Sequence, residues 1–193
     1  MKKWFPTLLL ILALLALVLG AGGVVKTSTS LAASGYNEND IVYMLLTDRY
    51  PDGDPSNNDQ GTPGGEYQPG NLKFYQGGDW QGVINKLSYI KNLGVTAIWI
   101  SPVSDDQDIS KDGGEAGYHG YFTYDYYSPN PHFGTLAKLQ ELVSTAHTNG
   151  IDVILDVVPN HTGDYLDPFA TQYNPPDFHP APPFNDPNWY HHN

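Results

Sequence analysis

Cysteine is absent from this chain of 193 residues, and lysine and arginine together supply only nine side chains. Without cysteine, the chain can form neither disulfide bonds nor thiolate metal sites. Aspartate and glutamate supply 21 side chains, which gives a formal net charge of −12 at pH 7. Because a nucleic-acid-binding surface needs clustered positive charge to neutralise phosphates, this composition argues against DNA or RNA as a partner.

Aromatic residues, by contrast, are abundant, with 14 tyrosines and 4 tryptophans in an aromatic content of 13%. Such side chains either pack against one another or form flat surfaces on which sugar rings stack, and composition leaves both readings open. The 20 glycines and 16 prolines indicate long, turn-rich connections between the apolar segments.

The first 34 residues are predicted to be a signal peptide or a membrane anchor. Lys2 and Lys3 precede residues 8–25, a stretch without charge, and small residues suited to cleavage follow at Ser30-Leu31-Ala32. The apolar stretch is also long enough to cross a bilayer of about 30 Å, so a retained anchor stays open. Either alternative places the rest of the chain outside the cytoplasm, as a secreted protein or on the outer face of the membrane.

Three apolar runs predict buried strands, at residues 41–46, 95–100 and 151–158. Two helices lie between them in sequence. Asp79 and Thr135 are suitable N-caps, and Gly94 and Gly150 follow the last helical turns. Apolar residues recur at helical spacing in both segments, at Val83, Leu87 and Ile90 in the first and at Leu136, Leu139, Leu142, Val143 and Ala146 in the second.

The order β-α-β-α-β predicts an α/β fold with a parallel sheet and right-handed crossovers. The strand-to-helix connections, residues 47–80 and 101–134, are long and leave the carboxyl edge of the strands, where α/β barrels place their sites. A complete (β/α)₈ barrel needs about 250 residues. We therefore expect this chain to be the N-terminal portion of such a TIM barrel, with about three strands and two helices.

The first long connection is rich in oxygen-bearing side chains around Asp52, Asp54, Asn57 and Asn58, and Gly77-Gly78-Asp79 follows. Ca²⁺ takes 6–8 oxygen ligands, and a tight turn of this composition can supply them. A solvated turn stabilised by Asp and Asn side chains is the alternative.

Two further segments carry candidate substrate-binding residues. The second long connection contains Tyr118-His119-Gly120-Tyr121-Phe122, which combines aromatic rings with an imidazole, as a pyranose site requires. The third strand leads into Asp156, then Asn160 and His161, at the carboxyl edge of the sheet. The alternatives are an aromatic loop core in the first case and a structural histidine in the second.

Together, the three segments resemble the α-amylase family (glycoside hydrolase family 13), and within it the branch of cyclodextrin glucanotransferases and calcium-dependent α-amylases. Residues 47–58, TDRYPDGDPSNN, resemble the family's calcium loop, T-D-R-F-x-D-G-N-P-x-N-N, with Asp54 in place of Asn. Residues 118–122 resemble its Y-H-G-Y-W pattern, with Phe122 in place of Trp, and residues 152–162 resemble its third strand.

The resemblance implies ligands for two calcium ions and a set of substrate contacts. The calcium ligands are Asp52, Asp54, Asn57, Asn58, Asp79 and the Gly77 carbonyl for the first ion, and Asn160 for the second, between the barrel and an inserted domain. The substrate-binding residues are Tyr118, His119, Tyr121, Phe122 and His161. Asp156 is expected to organise hydrogen bonds rather than to titrate during catalysis.

The resemblance further implies a secreted, retaining glycoside hydrolase or transglycosylase that acts on α-1,4-glucans such as starch and maltooligosaccharides. Residues 35–162 would be the N-terminal part of its catalytic barrel, and residues 163–193 the start of the domain inserted after strand three. The family places its catalytic carboxylates on later strands, so no catalytic residue is assigned here and the chain alone is expected to be inactive. A non-catalytic, membrane-anchored relative of the same fold is the alternative.

Overall fold

The computed structural model describes residues 37–165 and 179–191. The predicted leader, residues 1–34, lies outside the described residues, as does most of the first half of the predicted inserted domain. Within the described parts of the chain, no helix is both long and apolar enough to cross a membrane.

The described residues form five strands and two α-helices. In chain order these are β1 (Val42–Leu45), α1 (Trp80–Asn92), β2 (Ala97–Ile100), β3 (Ser104–Asp106), β4 (Thr123–Pro129), α2 (Leu136–Thr148) and β5 (Asp152–Leu155).

The main sheet is parallel, with the strand order β1-β2-β5. The two helices run between these strands, as the apolar pattern predicts. The strand predicted over residues 151–158 is too long, because pairing ends at Leu155. Val157 is 71% exposed, and the apolar residues after Leu155 lie in the loop that carries Asp156.

Both predicted helix N-caps are confirmed. The Asp79 carboxylate accepts a hydrogen bond from Gly82 N, and the Thr135 hydroxyl accepts one from Lys138 N. The apolar faces of the helices are buried against one side of the sheet, in a core that includes Leu45, Val83, Leu87, Ile98, Ile100 and Leu142. Each such buried side chain contributes about 1.5–3 kcal/mol to the free energy of unfolding.

The opposite side of the sheet is open. Successive side chains of a strand point to opposite faces, so Met44 and Trp99 point away from the helices. These two side chains are 44% and 40% exposed, although their strand neighbours Leu45 and Ile98 are buried.

The antiparallel pair β3–β4, inside the second long connection, was not predicted. It brings Asp105 opposite Asp125 and Asp106 opposite Thr123, with irregular register between these pairs. The sequence of β3 is acidic and therefore gives no hydrophobic pattern from which a strand could be predicted. This strand forms by pairing with the tyrosine-rich strand β4.

Candidate functional site

The loops after β2 and β5 meet at the carboxyl edge of the parallel sheet. The Tyr121 hydroxyl donates a 3.0 Å hydrogen bond to the Asp156 carboxylate. His161 Nε2 donates to the Tyr121 carbonyl oxygen at 3.2 Å. Parallel strands end at the same edge of a sheet, and the structure therefore brings residues 35 and 40 positions apart into one cluster.

His119 is held in one orientation and one tautomer. Its Nδ1 accepts a 2.9 Å hydrogen bond from Tyr121 N, so the proton of the neutral ring is on Nε2. Its ring lies edge-on to Phe122 and Tyr118, with centroids 4.5 and 5.0 Å apart. Burial, with a smaller contribution from the Arg49 charge, lowers the pKa of His119 to about 4. At neutral pH the side chain is an uncharged hydrogen-bond donor.

Gly120 allows the loop to make this turn. Its φ is +88°, and a Cβ atom at this position would lie 2.8 Å from Pro102 Cδ and 2.9 Å from the Pro102 carbonyl oxygen. A side chain would therefore be both strained and obstructed. The glycine lets the loop lie against Pro102, immediately after β2, and sets the direction of Tyr121.

Arg49 belongs to the site but was not singled out from the sequence. Its guanidinium lies 3.9 Å from the centre of the Tyr118 ring, and it also forms an ion pair with Asp48 at 2.9 Å. It donates a 3.2 Å hydrogen bond to the Phe74 carbonyl oxygen. Burial raises the pKa of Asp48 to about 6, although hydrogen bonds and the Arg49 charge oppose this rise. Arg49 thus connects the loop after β1 to the aromatic segment.

The loop after β5 is held by hydrogen bonds from Tyr126 of the antiparallel pair β3–β4. The Tyr126 hydroxyl lies 2.6 Å from the His161 carbonyl oxygen and 2.8 Å from that of Val158. His161 and Asn160 are both exposed at this point. Tyr118, Tyr121 and Phe122 are partly buried, so each keeps some surface in contact with solvent.

Two of the predicted calcium ligands have other roles in this structure. The Asp54 carboxylate is exposed and caps the short 3₁₀ turn Pro55–Asn57 by accepting from Ser56 N and Oγ. Asp79 is fully buried, and its carboxylate accepts from Gly53 N, Asp54 N and Gly82 N. A carboxylate has about four acceptor sites, so Asp79 has about one left for a cation.

Other predicted ligands offer oxygens that lack a partner. Asn57 Oδ1 and Asn58 Oδ1 are buried, and neither has a hydrogen-bond partner within the described parts of the chain. Asn58 Nδ2 donates to the Asp52 carboxylate at 2.8 Å, and a Cβ atom on Gly77 would lie 2.8 Å from Asn58 Oδ1. Buried oxygens without a partner are unfavourable unless a cation or water satisfies them, so this part of the loop fits a hard cation.

The acidic side chains of the described residues do not cluster around a common position. Among residues 37–165 and 179–191, no three His, Cys, Asp or Glu side chains come together closely enough to hold a metal ion. Asn160, predicted for a second ion, lies in the loop after β5 rather than in this one. The calcium sites therefore stay predictions.

Comparison with known proteins agrees with the motifs found in the sequence. The family model described as "Alpha amylase, catalytic domain" matches residues 44–193. The chain belongs to the α-amylase family. Its α/β fold is consistent with the N-terminal part of an amylase TIM barrel.

Among curated relatives of this amylase-family chain, a β/α-amylase from Paenibacillus polymyxa is 43% identical over 171 residues, covering 89% of the chain and 13% of that protein. A cyclomaltodextrin glucanotransferase from Thermoanaerobacterium thermosulfurigenes is 42% identical over 172 residues, covering 84% of the chain and 24% of that protein. The chain thus spans about an eighth to a quarter of the length of these relatives.

Solved structures of a cyclomaltodextrin glucanotransferase and of an α-amylase are also similar to this chain. A cyclomaltodextrin glucanotransferase with a three-domain ABC distribution superposes with a TM-score of 0.63 at 41% identity, covering 69% of this chain and 28% of that chain. An α-amylase from Malbranchea cinnamomea superposes with a TM-score of 0.62 at 34% identity, covering 79% of this chain and 30% of that chain.

Proposed function

We propose that this chain supplies the first part of the sugar-binding edge of an enzyme that acts on α-1,4-glucans by a retaining mechanism, as a hydrolase or a transglycosylase. The observation that carries this proposal is the cluster formed by Tyr121, Asp156 and His161 at the carboxyl edge of the sheet. Relatives named as α-amylases and as cyclomaltodextrin glucanotransferases support both reaction types.

In this proposal the chain binds and orients the sugar and does not attack it. The Tyr121 ring stacks on the apolar face of a glucose unit, and its hydroxyl, bonded to Asp156, keeps the ring from rotating away. His119 donates from Nε2 to a sugar hydroxyl, because its Nδ1 is already occupied by Tyr121 N. His161 is exposed beside the Tyr121 carbonyl oxygen, where a bound sugar chain can contact it.

A retaining glycosidase needs a nucleophilic carboxylate and an acid/base carboxyl about 5–5.5 Å apart. We assign neither role to this chain. Asp156, the carboxylate of this cluster, accepts the hydrogen bond of the Tyr121 hydroxyl and is given a positioning role. We also propose that residues 163–193 begin an inserted domain, in agreement with the packing of Phe184 against Tyr126 on β4.

Calcium is proposed as a structural cofactor that the chain holds through the loop after β1. Asn57, Asn58, Asp52 and the Gly77 carbonyl would supply most of its ligands there, since the two amide oxygens lack other partners. Bound calcium supplies positive charge among oxygens that would otherwise be unsatisfied. Secretion, or anchoring at the outer membrane face, is proposed from the apolar leader alone.

Replacing Tyr121 by Ala is expected to weaken the binding of maltoheptaose to the chain by about two- to tenfold, which is the worth of one aromatic stacking contact. Isothermal titration calorimetry of the 193-residue chain measures this affinity. Tyr121→Phe is the matched control: it keeps the ring but loses the hydrogen bond to Asp156, so most of the affinity should remain.

Loss of stability without loss of affinity in Tyr121→Ala would favour an aromatic loop core and contradict the proposed function. The same chain should release no reducing sugar from soluble starch. Clear hydrolysis that disappears in Asp156→Asn would show that Asp156 is a catalytic group and that our assignment is wrong.

Calcium is expected to raise the melting temperature of the chain. A ligand that binds only the native state stabilises it by about 2.7 kcal/mol at 100-fold above its dissociation constant. Thermal unfolding is measured with calcium and with excess chelator, for the wild type and for Asn58→Leu, which removes a buried oxygen from the loop. The proposal requires a calcium-dependent shift in the wild type that is reduced in the variant, and equal melting temperatures in all four samples would refute it.

A further inference from the structure

A cluster of aromatic rings lies beside the candidate site, on the segment of residues 179–191. Phe184 packs against Tyr126 of β4, with ring centroids 4.8 Å apart, and against Trp189, with centroids 5.7 Å apart. We call these three side chains the Trp189 platform. The Trp189 side chain is 62% exposed, so one large aromatic surface faces solvent.

The platform is fixed before any ligand binds. Trp189 ends the 3₁₀ turn Pro187–Trp189, which the Asp186 carboxylate caps by accepting from Asn188 N at 3.0 Å. The Tyr190 hydroxyl lies 2.9 Å from the Phe184 carbonyl oxygen and 3.2 Å from Thr162 Oγ1. An aromatic surface on a preorganised turn loses little conformational entropy when it binds a ligand.

The platform is also connected to the proposed sugar site. Tyr126 packs against Phe184 at one end and places its hydroxyl 2.6 Å from the His161 carbonyl oxygen at the other. Thr162, which contacts Tyr190, directly follows His161 in the chain. The segment that carries the exposed indole is therefore packed against the loop that carries the exposed imidazole.

The surroundings of the indole indicate a neutral, hydroxyl-rich ligand. The exposed side chains next to Trp189 in the chain are polar, namely Asn185, Asp186, Asn188 and His191. A membrane-binding tryptophan would need apolar or basic neighbours, and the chain carries a net charge of −12. An aromatic face beside amide and carboxylate groups instead suits a pyranose, whose apolar face stacks while its hydroxyls form hydrogen bonds.

We propose that the Trp189 platform is a second binding surface for an α-glucan chain, separate from the cluster of Tyr121, Asp156 and His161. This proposal rests on the proposed function, because the ligand is the same class of polymer. A long glucan would contact both surfaces, and a short oligosaccharide bound at Tyr121 would not need the platform.

Affinity electrophoresis in native gels that contain soluble starch tests this surface, with the full chain as wild type and as Trp189→Ala, Trp189→Tyr and Tyr127→Ala. None of these changes alters the charge, so retardation reports binding. Tyr127 is the matched control, because it lies on β4 beside Tyr126 and is 78% exposed. We expect Trp189→Ala to bind starch about two- to tenfold more weakly, and Trp189→Tyr and Tyr127→Ala to bind nearly as the wild type does.

Calorimetry with maltotriose separates this proposal from the proposed function. Trp189→Ala should bind the trisaccharide as tightly as the wild type does, whereas Tyr121→Ala should bind it more weakly. Unchanged starch retardation in Trp189→Ala would overturn the platform and leave the Tyr121 site standing if Tyr121→Ala still loses affinity. Equal losses in Trp189→Ala and Tyr127→Ala would indicate general adhesion of exposed rings, and a wild type that starch does not retard would exclude both surfaces.

Discussion

Asp79→Ala is expected to lower the free energy of unfolding of the chain by about 4–7 kcal/mol, because the two hydrogen bonds from the loop amides to this buried carboxylate contribute about 1.5–3 kcal/mol each and the N-cap about 1 kcal/mol. The Asp79 carboxylate is fully buried and accepts from Gly53 N at 3.1 Å, Asp54 N at 2.7 Å and Gly82 N at 2.6 Å. Its removal leaves three amide groups without their acceptor and detaches the loop after β1 from helix α1.

Urea unfolding of both proteins in excess chelator measures this difference, so that a lost calcium ligand cannot account for it. Asp54→Ala is the matched control, because Asp54 is another predicted calcium ligand whose carboxylate is exposed and bonds only to Ser56. The control should lose about 1 kcal/mol, which is the worth of the cap that Asp54 forms. If Asp79→Ala were no less stable than Asp54→Ala in chelator, the hydrogen bonds of Asp79 would not hold this loop.

Asp106→Asn is expected to make the chain about 1–3 kcal/mol more stable at pH 8, because burial makes the ionised carboxylate unfavourable in the folded wild type, whereas the amide is neutral in both states. Asp106 is 2% exposed, and neither carboxylate oxygen has a hydrogen-bond partner of good geometry among the described residues. The hydroxyl of Thr123, its cross-strand neighbour, is also buried and has no hydrogen-bond partner of good geometry in the part of the chain that the structure describes. Burial raises the pKa of Asp106 well above its usual value, although the backbone amides of Phe122 and Gly120 oppose this rise, and the charge of Asp105 adds to it.

The direction of the pH dependence follows from these shifts. Burial, with the charges of Asp108 and Asp125, also raises the pKa of Asp105, to about 7. Between the usual aspartate pKa and the raised values, the folded chain binds more protons than the unfolded chain, so stability falls as pH rises. The pKa of Asp108 is lowered despite its burial, by hydrogen bonds from His132 and Thr62, and its contribution changes only at lower pH.

Urea unfolding at intervals from pH 4 to pH 8 measures this slope for the wild type and for Asp106→Asn. The two curves should agree within about 0.5 kcal/mol at pH 4, where the carboxyl is protonated, and separate as pH rises. Glu38→Gln removes one exposed carboxylate and should follow the wild type throughout. Parallel curves for Asp106→Asn and the wild type would mean that Asp106 ionises without cost in the folded chain.

Much of the local structure could be predicted because its causes are local. Asp79 and Thr135 are helix caps in the structure, as the polar residue before each apolar repeat indicated. The apolar pattern also located β1 and β2 to within two residues, although it extended the last strand past Leu155. That error arose because Val157 and Val158 follow the strand without pairing in it, and hydrophobicity alone does not show where a ladder ends.

The parts of the site that could not be predicted depend on contacts between distant segments. Arg49 was visible in the sequence only as part of a motif, and its position over Tyr118 depends on how two long loops fold over the sheet edge. The buried Asp106 gave no signal of burial, because it lies in an acidic run and is covered only when β3 pairs with β4.

The sequence by itself determined the two capped helices, the order of the parallel strands and the membership of the chain in the α-amylase family, because helix signals act over a few residues and motifs are read along the chain. Only the tertiary structure decided that Tyr121, Asp156 and His161 share one cluster, that Asp79 bonds three amides, and that Asp106 is buried. The physical reason is that the solvation of these side chains and most of their hydrogen-bond partners are set by segments distant in the chain, which the local pattern does not record.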